Sequence, residues 1–379
     1  MNTKPLTASE YEARVKSITS PEEAAAFAQE LMAPVLAGLN KEGRKEPETQ
    51  SRPPVQRRKL GTPRIDKDDL YLLPWYDVAA NENEAMVITL YAKGLTTRDI
   101  SSYMKSHHGV ELSQSAVSTI TDKVFPLVKE WQARSLASCY PIVYLDGLHF
   151  KVRDAGKINS KVAYIALGVN AYGIKEVLGI WVSDTEGAKF WMHVLNELKN
   201  RGVDDILIAC VDGLKGFPEA IKTIYPQTEA QICIVHQIRH TIKFLPPRDL
   251  EAFCKDLKNV YTALNESDGL DALHELMEKW PQYRGYLKSW EDRWADLAPF
   301  FNYPTAIRRI MYTTNAIENM NRQFRKVTKT TTIFPHDDAL IKLLWLAQAD
   351  IASGRTVAVR NWGEAMAQLS ILFGDRVQF

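Results

Sequence analysis

Ile142-Val143-Tyr144-Leu145-Asp146-Gly147-Leu148-His149-Phe150-Lys151-Val152 is a run of strand-forming residues with one carboxylate set inside it. Its β-branched and aromatic side chains suit a pleated, half-buried surface. Asp146 is flanked by Tyr144, Leu145 and Leu148, where an unpaired charge is costly unless it serves a metal or a partner. From Pro141 onward the apolar period changes from helical to strand-like. Residues 162–170 and 174–182 read as two further strands, separated by short turns carrying Gly156, Asn159, Tyr172 and Gly173. Three strands on short loops imply an antiparallel meander. A helix is expected over 187–200, followed by a nearly continuous apolar strand over 206–211, which suits a strand covered on both faces. A second helix over 216–224 has Pro218 in its first turn, where proline is tolerated, and a fifth strand covers 230–235.

The resulting order, βββαβαβ, is the signature of an α/β architecture, the ribonuclease-H-like fold, and the acidic residues fall where its chemistry needs them. Asp146 lies in the first strand, and Asp212 ends the fourth, which neighbours the first in this fold. Taken alone, Asp212 could be a turn former before Gly213. A third carboxylate should come from a later helix. Thr313-Thr314-Asn315-Ala316-Ile317-Glu318-Asn319 supplies it, with Thr313 or Thr314 as cap. Glu318 is the one acid in a basic stretch containing Arg308, Arg309, Arg322, Arg325, Lys326 and Lys329, where it could simply neutralise its neighbours. Three such carboxylates can hold two Mg²⁺ ions roughly 3.5 to 4 Å apart.

The whole chain sets limits on these readings. With 379 residues, 45% of them hydrophobic, it can bury one sizeable core and one or two smaller ones, which excludes a disordered chain. Lys+Arg number 47 against 46 Asp+Glu, so a nucleic-acid role must rest on local patches and not on a global positive field. Cys139, Cys210, Cys233 and Cys254 are scattered, as reduced thiols are, and do not form a disulfide framework. No secretory leader pattern opens the sequence. Its longest apolar runs, such as 206–211, fall far short of the roughly 20 residues a bilayer requires, so a soluble intracellular protein is expected.

Upstream, residues 9–39 carry apolar positions at helical spacing, and 41–68 form a proline-containing basic linker with Arg57, Arg58 and Lys59. Residues 84–124 show three short helices, with Thr96 and Ser113 at N-cap positions and Gly94 at a C-terminus, the outline of a helix-turn-helix. Its third helix would offer Gln114, Ser115, Ser118 and Thr119 to DNA. A three-helix unit of this spacing can equally be a packing element. Downstream, residues 240–304 are helical and aromatic, with Trp280, Tyr283, Tyr286, Trp290, Trp294, Phe300 and Phe301. These read mostly as core, with one or two able to stack on unpaired bases.

Several blocks in sequence order resemble the mutator-type transposases of bacterial insertion sequences, a DDE transposase family. They are Tyr144-Leu145-Asp146-Gly147; Glu186-Gly187 with Phe190-Trp191; and Leu198-Lys199-Asn200-Arg201-Gly202-Val203. Further on come Val211-Asp212-Gly213-Leu214-Lys215-Gly216-Phe217, Gln231-Ile232-Cys233-Ile234-Val235-His236-Gln237-Ile238-Arg239 and Thr313-Thr314-Asn315-Ala316-Ile317-Glu318. The similarity runs from about residue 84 to the C-terminus. It implies a catalytic and metal-binding triad of Asp146, Asp212 and Glu318 with two Mg²⁺ ions, Mn²⁺ substituting. It places Arg325, with Lys326 and Lys329, on DNA phosphates and gives Cys233, His236, Arg239 and Asn315 supporting roles. A Cys-x-x-His pair alone is too few ligands for structural zinc. The implied activity is cleavage at the terminal inverted repeats and transfer of 3′-hydroxyl ends to target DNA; the alternatives are a nuclease on the same fold and a non-catalytic DNA-binding derivative. The implied partner is double-stranded DNA, bound by a homodimer or higher oligomer in the bacterial cytoplasm at the nucleoid. The expected organisation is a helical element over 1–40, a linker over 41–83, a helix-turn-helix region over 84–138 and a catalytic domain over 139–239 and 305–350. A helical insertion over 240–304 and a C-terminal helical tail over 351–379 complete it. Residues 43–83 lack the block expected before the helix-turn-helix.

Overall fold

The computed structural model describes residue 70 and residues 73–184, 187–214, 216–313, 316–354 and 358–377. The expectations for the 9–39 helix, the 41–68 linker, Thr314 and Asn315 fall outside these residues. Among the described residues no helix is long and apolar enough to cross a membrane.

Five strands form one mixed sheet in the order β3-β2-β1-β4-β5. β1 (Cys139–Asp154), β2 (Lys157–Val169) and β3 (Lys175–Ser183) make the antiparallel meander. β4 (Asp205–Val211) and β5 (Glu229–Ile232) add in parallel on the other side of β1. The β1–β2 hairpin is longer than its apolar pattern suggests, because Ala155 and Gly156 turn it at φ 46° and 79°. Two consecutive positive φ values match the twist of a tight hairpin. Asn159 is therefore not in the turn: it lies in β2, paired with Val152.

Both faces of the sheet are covered, which explains why β4 is apolar throughout. On one face, Val143, Leu145, Ala209 and Val211 pack against the helices between the parallel strands, where Trp191 and Phe217 stack with centroids 4.5 Å apart. Tyr144, Leu148, Ile208 and Cys210 point to the other face, into a core filled by helices from the second half of the chain. Each large side chain fully buried there contributes on the order of 1.5–3 kcal/mol.

The helices number in chain order as follows. Before the sheet come α1 (Glu82–Ala92), α2 (Thr97–His108), α3 (Gln114–Asp122) and α4 (Phe125–Ala133). Between the parallel strands lie α5 (Ala188–Asn200) and α6 (Phe217–Ile224). After β5 comes α7 (Ile234–Ile242), then α8 (Pro247–Thr262), α9 (Glu266–Lys279), α10 (Arg284–Glu291) and α11 (Trp294–Leu297) of the helical insertion. The chain then forms α12 (Thr305–Thr313), α13 (Ala316–Thr328), α14 (Asp337–Gly354) and α15 (Trp362–Phe373).

Two boundaries differ from the sequence reading. β5 stops at Ile232, so Ile234 and Val235, strand formers by type, open α7, and His236 sits in its first turn and not at a strand end. α12 runs through Thr313, and the glutamate helix α13 begins at Ala316.

The three-helix unit forms as its caps indicate. Thr96 and Asp99 make a reciprocal capping box, and Ser113 Oγ accepts from the Ala116 amide at 3.1 Å. Its core is shared: Ile100, Met104 and Val117 cluster with Trp345, Leu346 and Ala349 of α14. Lys342 of α14 donates to Thr121 Oγ1 at 3.0 Å and Asp122 Oδ1 at 2.6 Å. Gly94, at φ +87°, lies where a Cβ would meet the Val327 carbonyl oxygen at 2.5 Å, so the α1–α2 turn rests on the end of the glutamate helix. Beyond that helix, the Phe334 amide donates to the Lys151 carbonyl at 2.8 Å and anchors the connection to β1.

Candidate active site

Parallel pairing of β1 and β4 sets Leu145 opposite Val211, so Asp146 and Asp212 are the next residues on neighbouring strands. Neighbouring strands run about 5 Å apart. Alternation turns Asp146 toward the face of Tyr144 and Leu148 and away from Leu145, α13 lies over that face through Ile317 and Phe324, and Asp212 is the first residue past the end of β4.

Asp146 is 6% exposed. Its Oδ1 accepts from the Gly147 amide at 2.8 Å, its Oδ2 accepts from the Asn321 side-chain amide, and His236 Nε2 stands 3.5 Å from Oδ2. Asp212 is exposed, with Oδ1 accepting from the Gly213 amide at 2.6 Å. Arg293, from the insertion, donates to the Gly213 carbonyl at 3.2 Å. A Cβ at position 213 would meet that guanidinium at 1.7 Å, so glycine here lets the arginine close over the strand end.

Glu318 lies in the first turn of α13, where the helix dipole favours a carboxylate. It is one turn before Asn321 and two before Arg325, which puts all three on one helix face. Its carboxylate forms an ion pair with Arg239 of α7. Burial holds the Arg239 guanidinium below its ordinary value, and the nearby positive charge of Arg325 adds to the effect, while Asp146 opposes it. For His236, burial favours the neutral ring, but hydrogen bonds with Asp146 and Cys233 outweigh it and push the value up to about 11. Cys233 is buried at the N-cap of α7.

The sequence-derived set is thus brought together in part. His236 reaches Asp146, which lies midway along β1, Arg239 of the same helix pairs with Glu318, Cys233 sits at the N-cap position of that helix, and Asp212 follows the end of the neighbouring strand β4. Arg325 and Lys326 are exposed on α13, and Lys329 is exposed just past its end. Gln114, Ser115, Ser118 and Thr119 are exposed on α3, opposite its buried Val117 and Ile120.

Among the described residues no three His, Cys, Asp or Glu side chains stand together as ligands of one ion, and Glu318 is paired with Arg239. The donor chemistry still suits a hard divalent cation, which takes oxygen ligands. Asp146 and Asp212 directly follow paired residues of neighbouring strands, and the buried Oδ1 of Asn321, whose amide donates to Asp146, has no hydrogen-bond partner.

Sequence reasoning missed Asn321 and Arg293. Asn321 shares a helix face with Glu318, but Asn315 and Asn319 crowd the same stretch and nothing local separates them. Arg293 reaches Gly213 from 80 residues away, and no spacing rule carries that far.

Residues 68–354 match the family model described as Transposase, Mutator family. The transposase for insertion sequence element ISRM3 of Rhizobium meliloti (strain 1021) is 45% identical over 292 residues, 76% of this chain and 73% of that one. A probable transposase for an insertion sequence element of Corynebacterium diphtheriae is 38% identical over 329 residues, 80% of this chain and 95% of that one. This chain belongs to the mutator family of transposases. The Drosophila P element transposase strand transfer complex aligns with 86% of the chain at 10% identity and a TM-score of 0.31, which carries no fold relationship.

Proposed function

We propose that this transposase cuts DNA at the ends of its insertion sequence and joins the 3′-hydroxyl ends to target DNA, working as a DDE enzyme on a ribonuclease-H-like core. The observation that carries the reading is that Asp146 and Asp212 directly follow the paired residues Leu145 and Val211 of neighbouring strands, with Asn321 of the Glu318 helix donating to Asp146. Two Mg²⁺ ions, with Mn²⁺ as a substitute, would activate the attacking hydroxyl and stabilise the leaving oxygen when held by these three carboxylates. Asn321 and His236 fix the rotamer of Asp146, so that its carboxylate is oriented before any ligand arrives. Glu318 joins the two aspartates once Arg239 is drawn off it, and an incoming phosphate is an anion able to draw it. Arg325 meets the phosphate nearest the carboxylates, while Lys326 and Lys329 track the backbone toward and past the end of α13. The α1–α3 unit acts as a helix-turn-helix that presents Gln114, Ser115, Ser118 and Thr119 to the terminal repeats. Two or more copies act together on the paired ends.

Joining of a labelled element end to a plasmid target in Mg²⁺ tests the proposal. Wild type should give joined product, and Asp212→Asn should give none while still binding the end. Joining by Asp212→Asn at the wild-type level would sink the assignment of that residue.

A further inference from the structure

Helix α7 carries a ridge of side chains away from the carboxylates. His236 touches Asp146, His240 follows one turn later and Phe244 one turn after that, just past the helix end. At 1.5 Å per residue this path is roughly 12 Å long, the span of a few nucleotides. At its far end two aromatic rings stand in solvent: Phe244 is 48% exposed and Tyr286, from α10, is 39% exposed. They stack with centroids 5.0 Å apart and an interplanar angle of 12°. His240 meets Phe244 edge-on at 5.8 Å, and Tyr283 continues the array beyond Tyr286 at 6.4 Å and 26°.

The surroundings are basic. Lys243 Nζ lies 4.5 Å from the Phe244 ring centroid, and Arg284 and Lys288 are exposed on the helix that carries Tyr286. The carboxylate of Asp249 is 3.6 Å from Arg248, so that acid is already paired. The framework beneath is fixed: Gln237 donates to Ser289 Oγ at 2.9 Å and Trp290 Nε1 donates to Thr241 Oγ1 at 2.8 Å, locking α7 to α10.

Exposed parallel rings lose little by giving a face to a planar ligand, and they hold their stacking area in a fixed place at low entropic cost. A cation lying over an aromatic ring on a long flexible stem can move to a phosphate. Aromatic faces interleaved with cations are what an unpaired nucleic-acid strand binds.

Resting on the DNA-cutting reading above, we propose that Phe244 and Tyr286 form a stacking platform for an unpaired base of the strand cut at the Asp146 site. Lys243 and Arg284 hold its flanking phosphates. The platform grips the strand end after the duplex opens there, and, because every base has a stacking face, it does so with little preference for sequence.

The test uses the full chain and two DNAs, a blunt duplex and the same duplex with a short unpaired 3′ extension containing 2-aminopurine. Wild type should bind the extended duplex more tightly and quench the 2-aminopurine. Phe244→Ala and Tyr286→Ala should each lose roughly tenfold in affinity for the extended duplex and lose the quenching. Their binding to the blunt duplex should stay at the wild-type level, and Phe244→Trp should retain both properties. Alanine variants that bind and quench as wild type does would overturn the platform, as would an equal loss on both DNAs. A wild type that binds neither DNA would overturn the DNA-cutting reading and the platform with it.

Discussion

Asn321 is the residue on which the candidate site turns, because it is buried, donates to Asp146 and leaves its own carbonyl oxygen without a partner. If it positions the carboxylate, Asn321→Ala should slow single-turnover cleavage on the order of tenfold to a hundredfold, the range expected for losing a hydrogen bond to a charged group. The Mg²⁺ concentration for half-maximal rate should rise with it. A residue serving only the fold would lower thermal stability and leave the Mg²⁺ requirement where it was. Arg325 and Lys329 divide differently, since both are exposed, Arg325 on α13 and Lys329 just past its end, but only Arg325 acts on the Arg239 charge. Arg325→Ala should lower the cleavage rate roughly tenfold or more on pre-bound DNA. Arg325→Lys should restore part of that rate, because a point charge does not reproduce a two-pronged fork. Lys329→Ala should instead weaken binding and flatten its salt dependence. Equal single-turnover rates for Arg325→Ala and wild type would remove Arg325 from the site. Asp146 stood out as a candidate in the sequence because a charge inside an apolar strand is conspicuous. Asn321 and Arg293 were not, since their importance comes from what they touch across the fold.

Among the elements, the three-helix unit offers a pH test. The Glu84 carboxyl feels burial, which pushes it up. Hydrogen bonds from Lys123 Nζ at 2.6 Å and the Ala80 amide at 2.8 Å, with the charge of Lys123, outweigh this and hold it below its ordinary 4.5. A carboxyl held low in the folded state adds stability above its unfolded value and loses it as pH falls through the folded one. Wild type should therefore melt higher than Glu84→Gln at neutral pH, and the gap should close as pH drops below about 4.5. A gap unchanged between neutral and acid pH would show that the pair contributes nothing. These helices could be read in advance because their caps are local signals, in Thr96, Asp99 and Ser113. What could not be read is that Trp345, Leu346 and Ala349 of α14 complete their core, a contact more than 200 residues distant in sequence. The short β5 escaped for a related reason. Ile234 and Val235 favour strands by type, yet the Cys233 amide bonds to the Val211 carbonyl at 2.8 Å, and the chain then turns into α7. Tertiary placement overrode local preference there.

For the molecule as a whole, a formal charge of +1 leaves DNA affinity to local groups, and basic residues near the candidate site include Arg325 of α13, Arg239 of α7 and Arg293 just before α11. The succession of strands and the antiparallel meander were accessible from the alternation of apolar runs and short turns. The direction in which its carboxylates face followed from the β1–β4 register, which only the folded chain supplies. The central claim is that Asp146 and Asp212 act together as the cation-holding pair of a DNA-cutting site. The most direct measurement is single-turnover cleavage of a labelled element end in Mg²⁺, with protein saturating the DNA so that affinity drops out. Asp146→Asn and Asp212→Asn keep side-chain shape and remove one charge each, so both should bind the end as wild type does and cleave it at least about a hundredfold more slowly. Cleavage by either variant at the wild-type rate, with binding unchanged, would contradict the claim.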